Sequence, residues 1–209
     1  MTGILKNFVV FEGGDGSGTS TQLSLLGRKY AASGLKPVFF PTFEPTDGAI
    51  GALIRSTLKN DTGFKAETLA KLFAADRNEH LYAAGGIVER CRRGELVVCD
   101  RYVLSSLVYQ GIECGDELPR SLNSAFPAPE LLLFFDIDPK TALERLKNRS
   151  SLEIFERLDF QENVRERYHS LLNGYKDTEV RVEIIDATQN VEKVAEEVWT
   201  AVSKMPICN

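Results

Sequence analysis

Five short runs, residues 8–11, 38–40, 96–99, 131–135 and 182–185, are apolar at nearly every position. Rich in β-branched and aromatic residues and without polar alternation, they predict strands buried on both faces, as in a parallel sheet. Amphipathic stretches lie between them, at about 20–33, 50–59, 66–93, 139–148, 159–177 and 191–202, and their apolar spacing predicts helices. Strand and helix alternating in this way predict an α/β fold with a mostly parallel sheet. The 209 residues suit a single domain over 1–209, without repeats, low-complexity tracts or linkers. The Pro/Gly-containing stretches 41–51 and 114–129 read as loops of that domain. Ligands of such sheets bind beyond the carboxyl ends of the strands, so the informative residues should follow each strand.

Composition narrows the partners. A net charge of −5 and a pI near 5.2 argue against a general affinity for nucleic acid, which needs a basic footprint. Small acidic substrates remain open, because a few placed arginines can meet them. The four cysteines form no CxxC pair and no metal-ligand spacing, so free thiols are expected. The run at 8–11 ends in Glu12 and glycines and is neither a signal peptide nor a membrane span. A cytoplasmic protein without a membrane partner is the expectation. His80 and His169 fall in helical stretches and read as surface residues.

After the first run comes Gly13-Gly14-Asp15-Gly16-Ser17-Gly18-Thr19-Ser20, with the spacing of the phosphate loop G-x-x-x-x-G-K-[ST]. Glycines let backbone N–H groups approach phosphate oxygens, and the following helix adds its positive end. Gly13, Gly16, Ser17, Gly18, Thr19, Ser20 and Thr21 are the candidate ATP contacts, and Ser20 stands where a hydroxyl meets Mg²⁺. The lysine position holds Thr19. Loss of one preorganised charge contact to a transition state costs about 10²–10³ in rate. Either another cation takes over or turnover is slow.

Each later strand is followed by a group that, alone, has an ordinary structural reading. Asp100-Arg101-Tyr102 can be a strand-end ion pair, and Tyr109 a core aromatic. Phe73 and Arg77, four apart, share one helix face, where Phe73 suits the core and Arg77 a surface ion pair. Arg55, Arg145 and Arg149 can be solvated helix residues.

Together and in order these segments resemble the thymidylate kinase family. The matching elements are Phe11-Glu12-Gly13-x-Asp15-Gly16-x-Gly18-x-Ser20-Thr21-Gln22, then Glu44-Pro45-Thr46 leading to Arg55, then Leu72-Phe73-Ala74-Ala75-Asp76-Arg77. Asp100-Arg101-Tyr102 follows, with Ser105, Ser106, Tyr109 and Gln110 behind it. Two family cations are missing, at Thr19 and at Phe43, and Val108 stands where the family often has alanine. The resemblance implies a P-loop NTPase fold: a five-stranded parallel sheet flanked by helices, with a short lid at about 146–158. It implies transfer of the γ-phosphoryl group of ATP to dTMP, with Mg²⁺, in dTTP synthesis, by a homodimer.

Carried over residue by residue, Asp15 lies near the sugar 3′-hydroxyl, and Arg101 clamps the acceptor phosphate with help from Arg55. Asp100 organises Mg²⁺ with Ser20. Glu44 and Pro45 shape the acceptor loop. Tyr109 faces the deoxyribose, with Ser105, Ser106 and Gln110 beside it. Phe73 stacks on thymine and Arg77 donates to its 4-oxo group, while Arg145 covers adenine. Arg149, then Arg157, are the candidates to supply the charge missing at Thr19, with Glu156 and Phe160 at family-like lid positions. Two other readings stay open. A deoxynucleoside kinase would call for a Glu-Arg-Ser strand end in place of Asp100-Arg101-Tyr102. A nucleotide-binding protein with weak or no turnover is kept open by Thr19 and Phe43.

Overall fold

The strands come out longer than their apolar runs, three of them extending at both ends. A computed structural model of the chain describes residues 3–60, 63–146 and 154–208. It contains β1 (Ile4–Gly13), β2 (Phe39–Phe43), β3 (Leu96–Asp100), β4 (Ala128–Asp136) and β5 (Arg181–Asp186). All neighbours are parallel, in the order β2-β3-β1-β4-β5. The expected five-stranded parallel sheet is therefore present. β1 is central, with Phe11 opposite Asp100 of β3 and Gly13 opposite Phe135 of β4. That register gathers the carboxyl ends of three strands around one point.

Side chains alternate across the sheet. Val9 and Phe11 of β1 face one apolar layer, with Leu26, Leu133 and Val198, while Phe8 and Val10 face another with Leu81, Val97 and Cys99. The first layer is closed by α1 (Thr19–Ser33) and α9 (Val191–Ser203). The second face carries α3 (Ala66–Tyr82), α4 (Ile87–Arg92), α5 (Val103–Cys114) and α8 (Ile154–Leu172), with α2 (Ala49–Asn60) packed on α3. The short α6 (Glu117–Asn123) packs on α5, and α7 (Pro139–Leu146) on α8. Among the described residues no helix is long and apolar enough to cross a membrane.

Four expectations are corrected. The helix expected over 66–93 is interrupted after Tyr82, where Gly85 takes φ +72° and a Cβ on Gly86 would lie 2.8 Å from the Ala83 and His80 carbonyls. Residues 103–114, not foreseen as helical, form α5. The stretch 114–129, read as a loop, contains α6, which tolerates Pro119 because proline fits a helix's first turn. The helix expected from residue 159 to 177 starts earlier, at Ile154, and ends at Leu172 before a 3₁₀ turn, Asn173–Tyr175.

The loop after β2 depends on one glycine. A Cβ on Gly51 would sit 1.9 Å from the Thr46 carbonyl oxygen, so α2 can approach this loop only without a side chain there. Gly51→Ala is therefore expected to destabilise the protein by about 1–3 kcal/mol, the usual range for overpacking. Urea denaturation checks this, and an unchanged midpoint would show that the loop moves freely.

Candidate active site

β1 delivers the chain directly into the phosphate loop. A Cβ on Gly13 would lie 2.6 Å from Ser17 Oγ, and one on Gly16 would lie 2.7 Å from the Ala142 carbonyl oxygen. Gly16 and Gly18 have φ +83° and +90°, a region that glycine enters without a steric penalty. The loop thus curls against α7 and faces a cleft of about 710 Å³, bordered also by Arg101, Arg145, Phe160 and Gln161. Arg145 is anchored at the cleft wall, its Nη2 donating to the Ala187 carbonyl at 2.9 Å.

Ser20 Oγ donates to Asp100 Oδ2 at 2.5 Å, while Asp100 Oδ1 is buried with no hydrogen-bond partner among the described residues. A carboxylate oxygen left free beside a hydroxyl at the foot of a phosphate loop fits Mg²⁺, which takes oxygen ligands and keeps its waters.

Arg101 follows with a left-handed backbone, φ +69°, rare for a residue with a side chain. Its N–H donates to the Phe11 carbonyl at 2.8 Å. Its Nη2 donates to Asp15 Oδ1 at 2.7 Å, its Nη1 reaches Ser105 Oγ at 3.4 Å, and its guanidinium lies 5.3 Å from the centre of the Tyr109 ring. Arg101 borders the phosphate cleft, an inner pocket of about 240 Å³, and an outer groove of about 820 Å³ between α1 and β2. Phe43, half exposed, lies along the groove.

The inner pocket brings together the expected acceptor residues Asp15, Glu44, Pro45, Phe73, Arg77 and Arg101. Ser105, Ser106, Tyr109 and Gln110 complete its wall. Gln110 Oε1 is buried without a partner among the described residues, and the buried Tyr109 hydroxyl lies beside the Arg101 guanidinium. Arg77 is 1 % exposed, which overturns its reading as a surface residue. Its Nε donates to Glu44 Oε2 at 2.9 Å and its Nη2 lies 2.7 Å from the same oxygen. Nη2 also donates to the Tyr102 carbonyl and to Ser106 Oγ, each at 3.1 Å, and Nη1 donates to Asn123 Oδ1. One N–H of Nη1 is left over by this network.

Arg55 lies outside that wall. Its Nη1 donates to the Pro45 and Thr46 carbonyls at 2.7 and 2.5 Å, and its Nη2 pairs with Asp47 at 3.2 Å, so it braces the acceptor loop. Asp76 holds the same loop from α3, accepting from Thr46 N and Thr46 Oγ1, both at 2.7 Å. Arg149 and the side chains of Glu156 and Arg157 lie outside the described residues, as does most of the expected lid.

His80 was expected at the surface, but its side chain is 10 % exposed. It is wedged between Thr42 Oγ1 at 2.6 Å and Glu44 Oε1 at 3.1 Å because α3 packs over the end of β2. His169 does lie at the surface, 3.3 Å from Asp136, whose two oxygens also accept from Arg165 at 2.7 and 2.9 Å. Burial opposes ionisation of Asp136, yet the Arg165 bonds outweigh it and hold its carboxyl below the ordinary range. Donor atoms of Glu44, His80 and Cys99 lie within 4.8 Å of one another. Arg77 already supplies the positive charge there, and burial pushes the Cys99 thiol well above its ordinary pKa, so an ion pair rather than a metal balances this cluster. All four cysteines are free, as expected.

Sequence reading assigned no role to Glu12 or Tyr168. Glu12 is fully buried. It accepts from Tyr102 N at 3.0 Å, Ser105 N at 3.2 Å, Ser105 Oγ at 2.6 Å and Tyr168 Oη at 3.1 Å, and burial pushes its pKa up against the Ser105 and Tyr102 bonds and the nearby Arg101 charge. The available signal was an acid closing an otherwise apolar central strand.

The Arg77–Glu44 pair predicts a large cost when one partner is removed. Arg77→Met should destabilise the fold by about 3–5 kcal/mol, because Glu44 would stay buried without its counter-charge. Adding Glu44→Gln to that variant should restore part of the loss in urea denaturation. No restoration would mean that the packing of Arg77, and not its charge, sets the cost.

A profile described as thymidylate kinase matches residues 11–198. A Treponema pallidum protein bearing a provisional thymidylate kinase name is 43 % identical over 198 residues, covering 93 % of this chain and 94 % of that protein. An Aeropyrum pernix protein with the same provisional name is 38 % identical over 192 residues, 91 % of this chain and 90 % of its own. A Methanocaldococcus jannaschii protein with a similarly provisional name is 37 % identical over 201 residues, 95 % and 97 %. With the profile matching residues 11–198 and relatives 37–43 % identical along nearly the whole length, the chain belongs to the thymidylate kinase family.

Proposed function

We propose that this protein transfers the γ-phosphoryl group of ATP to dTMP, giving ADP and dTDP, with Mg²⁺, as a step of dTTP synthesis. The observation that carries the reading is the inner pocket's unpaired polar set beside Phe73. Thymine offers an acceptor at O4 and a donor at N3. The spare N–H of Arg77 suits the first, and the unpartnered Gln110 Oε1 suits the second. Cytosine, with a donor at N4, would face a donor. Phe73 in the pocket wall supports a stacking role, and Tyr109, in the wall with Asp15 and Arg101, supports a place for the sugar.

Phosphoryl transfer needs positioning and charge neutralisation more than bond-making by the protein. The loop backbone holds the donor phosphates. Arg101, bordering both donor cleft and acceptor pocket, brings the two phosphates together and spreads the developing charge. Ser20 and Asp100 would hold Mg²⁺, which supplies further neutralisation when bound. No general base is required, since the attacking phosphate oxygen is already anionic. Arg55 supports the acceptor phosphate by fixing the loop around it. Arg145 covers the adenine, and Arg149 brings the charge absent from Thr19. The apolar side chains Leu53, Leu58, Phe64 and Tyr82, exposed on and beside α2 and α3, support a homodimer formed through that face. The free cysteines support a cytoplasmic location.

Release of ADP from Mg·ATP in the presence of dTMP, dUMP, dCMP, UMP or thymidine tests the reading. Turnover should be highest with dTMP and least with dCMP and thymidine. ATP and dTMP binding without any turnover would replace this reading with a binding-only one. In the same assay Phe73→Ala should raise the KM for dTMP about tenfold or more, the loss of one stacked base face, with the KM for ATP little changed. An unchanged dTMP KM would remove Phe73 from base stacking.

A further inference from the structure

Glu12 is the one acid of the phosphate-loop segment that reaches neither nucleotide cleft, yet it touches the structures on every side of them. Its Oε1 accepts from the N–H groups of Tyr102 and Ser105, so it caps the amino end of α5, where backbone donors lack helical partners. Its Oε2 accepts from Ser105 Oγ and from Tyr168 Oη of α8. Tyr168 Oη also approaches the Gly13 carbonyl at 3.3 Å and Ser105 Oγ at 2.9 Å. Arg101 lies between two clamps from β1. Its own N–H is held by the Phe11 carbonyl, and the next N–H, that of Tyr102, is held by Glu12. A left-handed arginine is strained and persists only where its surroundings over-determine it.

We propose that Glu12 is a positioning residue for phosphoryl transfer. Its carboxylate holds the turn that aims the Arg101 guanidinium at the junction of donor cleft and acceptor pocket, and through Tyr168 it ties that aim to α8. Ser105 serves both ends of the arrangement, donating to Glu12 and lying within reach of Arg101 Nη1. The strained backbone of Arg101 gains its purpose here. With ordinary φ the side chain would leave β3 in another direction, away from Asp15 and Tyr109. The proposal rests on the dTMP kinase reading.

Glu12→Gln separates charge from shape. It keeps one acceptor for the α5 N–H groups but turns a donor toward Ser105 and Tyr168. We expect kcat to fall about 10- to 100-fold, the usual loss when a group that orients a site is removed, with the KM for ATP nearly unchanged. In an Arg101→Ala background the same change should lower kcat by less than about twofold, because a residue acting through Arg101 has nothing left to aim. A parent-like kcat in Glu12→Gln, or an equal further loss in the Arg101→Ala background, would overturn the proposal and leave Glu12 a cap for α5. Should Glu12→Gln fail to fold by circular dichroism, Tyr168→Phe replaces it in the same cycle. A smaller loss that disappears with Arg101→Ala is expected there, and a loss that persists contradicts the proposal. A parent protein inactive with dTMP would count against the kinase reading itself, which keeps the two failures apart.

Discussion

Three strand ends meet where β1 stops being apolar, and that meeting is held by a buried carboxylate. Phe11 of β1 lies opposite Asp100, and Gly13 opposite Phe135, so the phosphate loop, the Asp-Arg-Tyr turn and the end of β4 emerge side by side. Apolar packing sets that register but does not direct polar groups. Direction comes from Glu12, whose four hydrogen bonds reach the start of α5 and the middle of α8. A buried acid is costly unless its lone pairs are satisfied, and here they are. Glu12 itself borders neither the phosphate cleft nor the inner pocket.

A second constraint is the supply of positive charge. Two cations common in the family are absent, at Thr19 and Phe43. Arg77 cannot replace either, because Glu44, Asn123, Ser106 and the Tyr102 carbonyl already occupy it in the wall of the base pocket. Arg55 is similarly committed to the acceptor-loop carbonyls. Arg101 is different: its partner Asp15 is half exposed, and it borders both clefts. Of the described arginines, Arg101 alone borders both the phosphate cleft and the inner pocket, and its backbone is held from two sides.

The fold was largely legible because strands buried on both faces read as unbroken apolar runs, a signal that needs no partner to interpret. Helices α5 and α6 escaped because one buries polar Ser106 and Gln110 among its apolar residues, which blurs the pattern, and the other is short with Pro119 in its first turn. That the motif residues gather around common clefts was legible in their positions after the strands; the partners that hold them were not. His80 looked like a surface residue since helical spacing does not reveal that α3 covers the end of β2. The bracing of the acceptor loop by Arg55 was not legible, since its distance from the Pro45 and Thr46 carbonyls exists only in three dimensions. Glu12 was visible as part of Phe11-Glu12-Gly13, but its donors come from residues 90 and 156 positions further along the chain. Long-range polar pairing leaves no local periodicity.

The decisive measurement is a crystal structure with Mg²⁺ and an adenosine–thymidine bisubstrate analogue joined through five phosphates. The arrangement described here predicts Arg101 still at positive φ, its guanidinium between the donor and acceptor phosphates, and Glu12 still bonded to Tyr102 and Ser105. An Arg101 with ordinary helical or extended φ, or one turned away from the phosphates while the analogue occupies both clefts, would contradict it.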